Sequence, residues 1–111
     1  RVINNCSRSH LLGPVQTINV FRICQEAVQN ALKYADFKTL NLTFKDSNQG
    51  LGIEIADDGV GITDLGSIKG YGISNMKDRM KQINGEFNID SSPGKGTRIQ
   101  LLVPIYTPIA V

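Results

Sequence analysis

Asp57 and Asp58 stand side by side at the end of the alternating run IEIADDGVGI, residues 53 to 62, and the chain then passes through Gly59 and Gly61. Adjacent carboxylates repel one another, the stretch holds no cation, and glycine weakens any regular element. Such a pair can simply cap and solvate a turn. It can equally offer an acceptor-only carboxylate, placed at a strand end and partly shielded from water, to the amine of a ligand.

Other stretches carry groups that suit phosphate chemistry. Glu26, Asn30 and Lys33 follow at i, i+4 and i+7, which puts a carboxylate, an amide and an ammonium on one helical stripe. A solvated face looks much the same. Asparagine, however, is a poor helix former, and its amide oxygen is a hard donor suited to magnesium, which binds through few protein ligands plus phosphate oxygens. In KGYGISNM, Gly70 and Gly72 immediately precede a helical pattern, and backbone amides at a helix N-terminus attract anions. In PGKGT, Gly94 and Gly96 lead into Thr97 at the head of a strand, a turn that ordinary hairpin chemistry also explains.

The elements that must position these groups follow from periodicity. Residues 2 to 6 read as a short strand, and Gly13-Pro14 marks the start of a helix, with proline at its first position. From Val15 to Ala35 the apolar residues Val15, Ile18, Phe21, Cys24, Val28, Ala31, Leu32 and Ala35 recur at three- and four-residue steps, which predicts one long helix burying that face. Residues 38 to 46, KTLNLTFKD, alternate strictly, DSNQG supplies a turn, and LGIEIAD alternates again through Leu51, Ile53 and Ile55, so a hairpin is expected. Residues 62 to 72 are glycine-rich and aperiodic, a mobile loop whose span Thr63 to Lys69 is a candidate lid. Ile73, Met76, Met80 and Ile83 mark a second helix ending near Gly85. Strands around EFNID and TRIQLLV flank the turn SSPGKG. Helices set apart from a mixed, mostly antiparallel sheet predict an α+β, two-layer sandwich.

The chain of 111 residues is expected to form one domain with a single core, and 41% hydrophobic against 20% charged residues marks it as globular. A net charge of +2 with scattered lysines and arginines gives no indication of nucleic acid. Cys6 and Cys24 lack a CxxC companion and share the chain with one histidine, His10, which argues against a zinc site. Their separation leaves both reduced thiols and a disulfide open, reduced thiols being favoured. No apolar run nears the length that spans a bilayer, so the segment reads as soluble.

Two nucleotide signatures fail. GKGT is not a P-loop, because Ile89 stands where the first glycine belongs and Gly96 where the hydroxyl belongs. GYGISN is not a dinucleotide fingerprint, because Asn75 takes the last glycine position and no first strand precedes it.

Taken in order, QEAVQNALKYA, DDGVGI, GYGISNM and GKGT resemble the N, G1, G2 and G3 boxes of the GHKL (Bergerat-fold) ATPase superfamily. The resemblance covers residues 15 to 104 and is closest to the ATP-binding catalytic domain of bacterial sensor histidine kinases of the nitrate-sensor-like subfamily. It implies ATP and Mg²⁺ as cofactors. Asn30 matches the residue that coordinates the metal, Glu26 the acidic position that orders water near metal or γ-phosphate, and Lys33, with Tyr34, positions near the phosphates. Asp57 matches the acceptor of the adenine amine, while Asp58 stands where asparagine is usual and is expected to face solvent or the metal's water. Gly59, Gly61 and Ile62 would lie along the base, and Gly70, Gly72 and Ile73 at the lid end, where the glycine amides meet phosphate. Gly94, Gly96 and Thr97 match the box whose threonine joins adenine through water. Ile55, Ile62, Ile73 and Met76 are candidate walls of the slot, a role ranked below a simple core role, and Lys69 and Arg79 are candidate phosphate contacts, equally readable as surface.

The resemblance further implies a histidine-bearing dimerisation domain of the same kinase as phosphoacceptor and a response regulator downstream. The domain itself is expected to be cytoplasmic and, in isolation, a monomer, in a full protein compatible with an inner-membrane anchor. His10, followed by Leu11 and Leu12, lacks the acidic neighbour of an acceptor, so the chain is expected to bind ATP without labelling itself. Rival readings are a serine kinase of the anti-sigma type, a nucleotide-gated clamp, for which the lid is too short, and a binding module without turnover.

Overall fold

The computed structural model describes residues 1–5, 12–61 and 72–104. Their order is β1 (Val2–Asn5), α1 (Pro14–Asn30) continued by a π-helical turn (Ala31–Ala35), β2 (Leu40–Ser47), β3 (Gly50–Asp57), α2 (Ile73–Gln82), β4 (Glu86–Ser91) and β5 (Thr97–Val103). The five strands form one sheet in the order β1-β2-β3-β5-β4, with β1 parallel to β2 and the other pairs antiparallel. The expected α+β sandwich is therefore the observed architecture. Among the described residues no helix is long and apolar enough to cross a membrane.

Period-two alternation fills one face of the sheet. Leu42, Ile55, Ile99 and Ile89 pair across four strands, as do Phe44, Ile53, Leu101 and Phe87 in the next row. Val20, Ile23 and Ala27 from α1 and Ile73, Met76 and Met80 from α2 close over these rows. On the opposite face Asn88 donates to Gln100, Gln100 donates to Glu54 (3.3 Å), and Arg98 pairs with Glu54 at 3.4 Å. In the hairpin Ser47 pairs with Gly50, and its Oγ accepts the Gln49 amide at 3.2 Å.

The helix begins where Gly13-Pro14 predicts. Gln16 Oε1 accepts the Gly13 amide at 3.0 Å, and Gln16 Nε2 donates to the Pro104 carbonyl at 2.9 Å, tying the helix start to the end of β5. The buried face of α1 is the predicted one only at Ala31 and Ala35. Val15, Ile18, Phe21 and Leu32 are 62%, 58%, 62% and 68% exposed, whereas Asn19, Val20, Ile23, Ala27, Ala31 and Ala35 are buried. Both stripes repeat at helical spacing, so periodicity cannot choose between them. The stripe that wins carries Ala27, Ala31 and Ala35 four residues apart, and their small side chains leave open space between the helix and the sheet. Cys24 lies at its margin, and burial pushes its thiol up to about 11, so it stays protonated at neutral pH.

Two features fix the far ends of the helices. After Asn30 the pitch widens into the π turn, Asp36 stops it in the left-handed region at φ 47°, and the Ala35 carbonyl accepts the Val60 amide at 2.7 Å. An otherwise orphaned helix-end carbonyl is thereby satisfied from a distant loop. Asn19, only 4% exposed, donates through Nδ2 to the Arg79 carbonyl and to Gln82 Oε1, each at 3.2 Å, which locks α1 against the last turn of α2. α2 itself ends at Gln82, and Gly85 returns its amide to the Met80 carbonyl at 2.8 Å.

Candidate functional site

The row of the sheet beyond Leu42, Ile55, Ile99 and Ile89 is Leu40, Asp57, Thr97 and Ser91. Because side chains alternate, this row points to the same face as the core row beside it. The apolar layer therefore gives way to polar groups at the edge of the helical layer. There a cleft opens. Ile55, Ile89 and Ile99 line its sheet side, Ala27, Ala31 and Ala35 its helix side, and Ile73 comes from the start of α2. Asn30, Asp57 and Thr97 bring polar atoms into it, and Gly61 and Tyr34 complete the rim.

Asp57 is the last residue of β3 and half-buried. Its Oδ1 accepts the Gly59 amide at 2.8 Å, which orients the carboxylate through its own following turn. Thr97, directly across the ladder, bonds its hydroxyl to Ser91 Oγ at 2.8 Å.

Asp58 is exposed, as expected, but its carboxylate is also tied to the backbone. Its Oδ1 accepts the amides of Lys38 and Thr39, both at 2.8 Å. These bonds, the Thr39 amide foremost, hold its pKa below the ordinary carboxylate value. They also explain why β2 starts at Leu40 and not at Lys38: both preceding amides are taken by a side chain. Asp58 joins the β3 end to the β2 start and is a structural residue.

The glycines have reasons other than room for a flat base. A Cβ on Gly59 would collide with the carbonyl of Ala35, one on Gly61 with the carbonyl of Ser92, and one on Gly96 with the carbonyl of Asp57. The loop carrying them is stitched on both sides, since Val60 donates to Ala35 and accepts the Gly94 amide at 2.8 Å. Close backbone approach thus fixes the loop after Asp57 between the π turn and the β4–β5 turn. Gly94, at φ 78°, has open space where a Cβ would sit and is required by its backbone angle alone. Gly72 starts α2 at φ 65°, and a Cβ there would run into the Glu26 carboxyl, whose Cδ would lie at 2.9 Å. Glu26 accordingly rests against the head of α2, which brings two distant motifs together.

Of the predicted site residues, Asn30, Asp57, Gly61, Ile73 and Thr97 meet in the cleft. Glu26, Gly59, Gly72, Gly94 and Gly96 frame it. Lys33 is exposed on the π turn and does not line it, and Met76, 1% exposed, belongs to the core. Ile62, Gly70, Lys69, the lid span Thr63 to Lys69 and His10 lie outside the described residues. Sequence reasoning missed Ala27, Ile89, Ile99 and Ser91. Their signal was the alternation that puts positions 89 and 91 on one face with 97 and 99.

Comparison with known proteins gives a consistent answer. Residues 16–107 match the family described as "Histidine kinase-, DNA gyrase B-, and HSP90-like ATPase". An "Uncharacterized sensor-like histidine kinase" of Chloroflexus aurantiacus is 38% identical over 93 residues, covering 78% of this chain and 16% of that protein. The "Oxygen sensor histidine kinase NreB" of Staphylococcus carnosus is 35% identical over 103 residues, covering 91% of this chain and 29% of that one. The chain thus spans less than a third of either relative. A solved histidine kinase domain from Erythrobacter litoralis EL346 shares the fold, with a TM-score of 0.73 at 20% identity over 94% of this chain and 54% of the other.

Proposed function

The chain belongs to the family of histidine kinase-, DNA gyrase B- and HSP90-like ATPases, and from that membership we propose that it is the part of a sensor histidine kinase that binds Mg²⁺-ATP. In this reading it presents the γ-phosphoryl group to a histidine on a separate helical dimerisation domain of the same kinase, from which a response regulator draws it. The observation that carries the reading is the placement of Asp57 opposite Thr97 at the polar end of an otherwise apolar cleft.

An ionised carboxylate only accepts hydrogen bonds. With one oxygen turned to the Gly59 amide, Asp57 stays directed at the cleft, where an exocyclic amine satisfies it and a guanine carbonyl does not. The isoleucines of three strands and the alanines of the helix give a flat base apolar surfaces on two sides. Asn30 ends α1 in the same cleft, and Glu26 lies one turn earlier against Gly72. Their oxygens are hard donors of the kind magnesium takes alongside phosphate oxygens, so these two residues fit such an ion. When bound, that ion would neutralise charge building on the transferred phosphoryl group. Lys33 and the amides at the head of α2 would add positive potential on the same side. Phosphoryl transfer asks chiefly for positioning and charge neutralisation, so no covalent step on this chain is required.

The test is titration of the purified chain with ATP and with GTP, both in magnesium, followed by incubation with γ-labelled ATP alone and with the histidine-bearing domain. The expected result is ATP-selective binding, no label on the chain itself, and acid-labile label on the partner domain. Equal affinity for both nucleotides, or stable label on this chain alone, contradicts the proposal.

A further inference from the structure

We infer that Ser91 is a positioning residue that wires Thr97 as a hydrogen-bond acceptor and so contributes to the choice of adenine over guanine. The inference rests on the proposed ATP site.

Ser91 ends β4 and pairs with Thr97, which begins β5 and pairs in turn with Asp57. Ser91 Oγ lies 3.1 Å from the Gly96 carbonyl oxygen and 2.8 Å from Thr97 Oγ1. A carbonyl can only accept, and a hydroxyl has a single hydrogen. The hydrogen of Ser91 therefore goes to Gly96, and the shorter contact is the hydroxyl of Thr97 donating to Ser91. The end of this chain is held in a tight site: Gly96 sits at φ 78°, and the Asp57 carbonyl occupies the place where a Cβ on it would lie. Hydrogen bonds in series also strengthen one another.

Thr97 has thus committed its only hydrogen within the protein, and only lone pairs remain for the cleft it lines. Beside it Asp57 is acceptor-only by charge. Two adjacent acceptors suit the two hydrogens of an exocyclic amine, and both oppose a carbonyl at that position. A water that gives one hydrogen to Thr97 keeps its other hydrogen and its lone pairs, so this selection acts through direct contact between Thr97 and the base. Thr97 without Ser91 could swing its hydroxyl and donate to guanine.

The experiment measures dissociation constants of the chain for ATP and GTP. In Ser91→Ala the GTP-to-ATP ratio should fall about three- to tenfold, the worth of one neutral hydrogen bond. ATP binding itself should change less than the ratio does. Ser91→Thr, which restores a hydroxyl, should restore the ratio, and in a Thr97→Val background Ser91→Ala should leave it unchanged. If Ser91→Ala does not fold, Ser91→Cys, whose thiol bonds weakly, should show the same fall in smaller measure. An equal loss of affinity for both nucleotides would overturn the inference, as would a change of ratio that persists without the Thr97 hydroxyl. Wild-type protein that fails to select ATP would instead sink the proposed function from which the inference starts.

Discussion

Gly59 and Ala35 meet so closely that no side chain fits between them: the Ala35 carbonyl occupies the place where a Cβ on Gly59 would lie, and it accepts the neighbouring Val60 amide at 2.7 Å. This contact fastens the loop after Asp57 to the end of the first helix, so the residue expected to read the base and the residue expected to hold the metal share one rigid frame.

Gly59→Ala should therefore destabilise the protein by about 1–3 kcal/mol, the range for forcing extra atoms into a packed site. Gly94→Ala makes no collision and should cost only the roughly 1 kcal/mol of a left-handed alanine. Thermal or urea denaturation of the two variants, side by side, tests the difference. Equal effects would mean that the loop yields to the added methyl.

Asp57→Asn keeps an oxygen for the Gly59 amide but replaces the carboxylate by a neutral amide. Folding should be little affected, while ATP binding should weaken by about 1.5–3 kcal/mol, the worth of a hydrogen bond to a charged group. The preference over GTP should shrink with it, because the new amide can donate to a carbonyl. Asn30→Asp serves as a control that alters the magnesium requirement of binding instead of base selection. Calorimetric titration that finds both variants indistinguishable from wild type would refute the residue assignments.

Asp58 links stability to pH. Its folded-state pKa is lowered from the ordinary 3.8, chiefly by the Thr39 amide, so the folded state prefers the charged form. The resulting stabilisation is complete above 3.8 and is lost as pH falls through the lowered folded value. Asp58→Asn can still accept the amides of Lys38 and Thr39 but cannot titrate, so its acid-induced loss of stability should be smaller than that of wild type. Urea denaturation from about pH 7 to about pH 3 measures this. Identical pH slopes in the two proteins would show that the carboxylate is not held by those amides in solution.

The helix face can be tested directly. Ile18→Ser and Phe21→Ser lie on the exposed stripe and should each change stability by less than about 0.5 kcal/mol. Ile23→Ala, at a position with no exposure, should cost about 2–5 kcal/mol. A large loss at Phe21 would restore the helix face predicted from periodicity alone.

Local pattern was enough for the strands, the Gly-Pro helix start and the set of polar residues that meet in the cleft. Alternation dictates which side chains share a face, so Asp57, Ser91 and Thr97 had to point with Ile55, Ile89 and Ile99 wherever the strands paired. Tertiary structure decided the rest. Two apolar sets on α1, sharing Ala31 and Ala35, satisfy the same period, and only packing against the sheet selects the one that buries Val20, Ile23 and Ala27. The partners of Asp58, the carbonyls that exclude side chains from Gly59, Gly61 and Gly96, and the proton direction between Ser91 and Thr97 all depend on backbone groups remote in sequence or across a turn. A hydrogen bond or a collision is a property of distance in space, and periodicity along the chain carries no record of it.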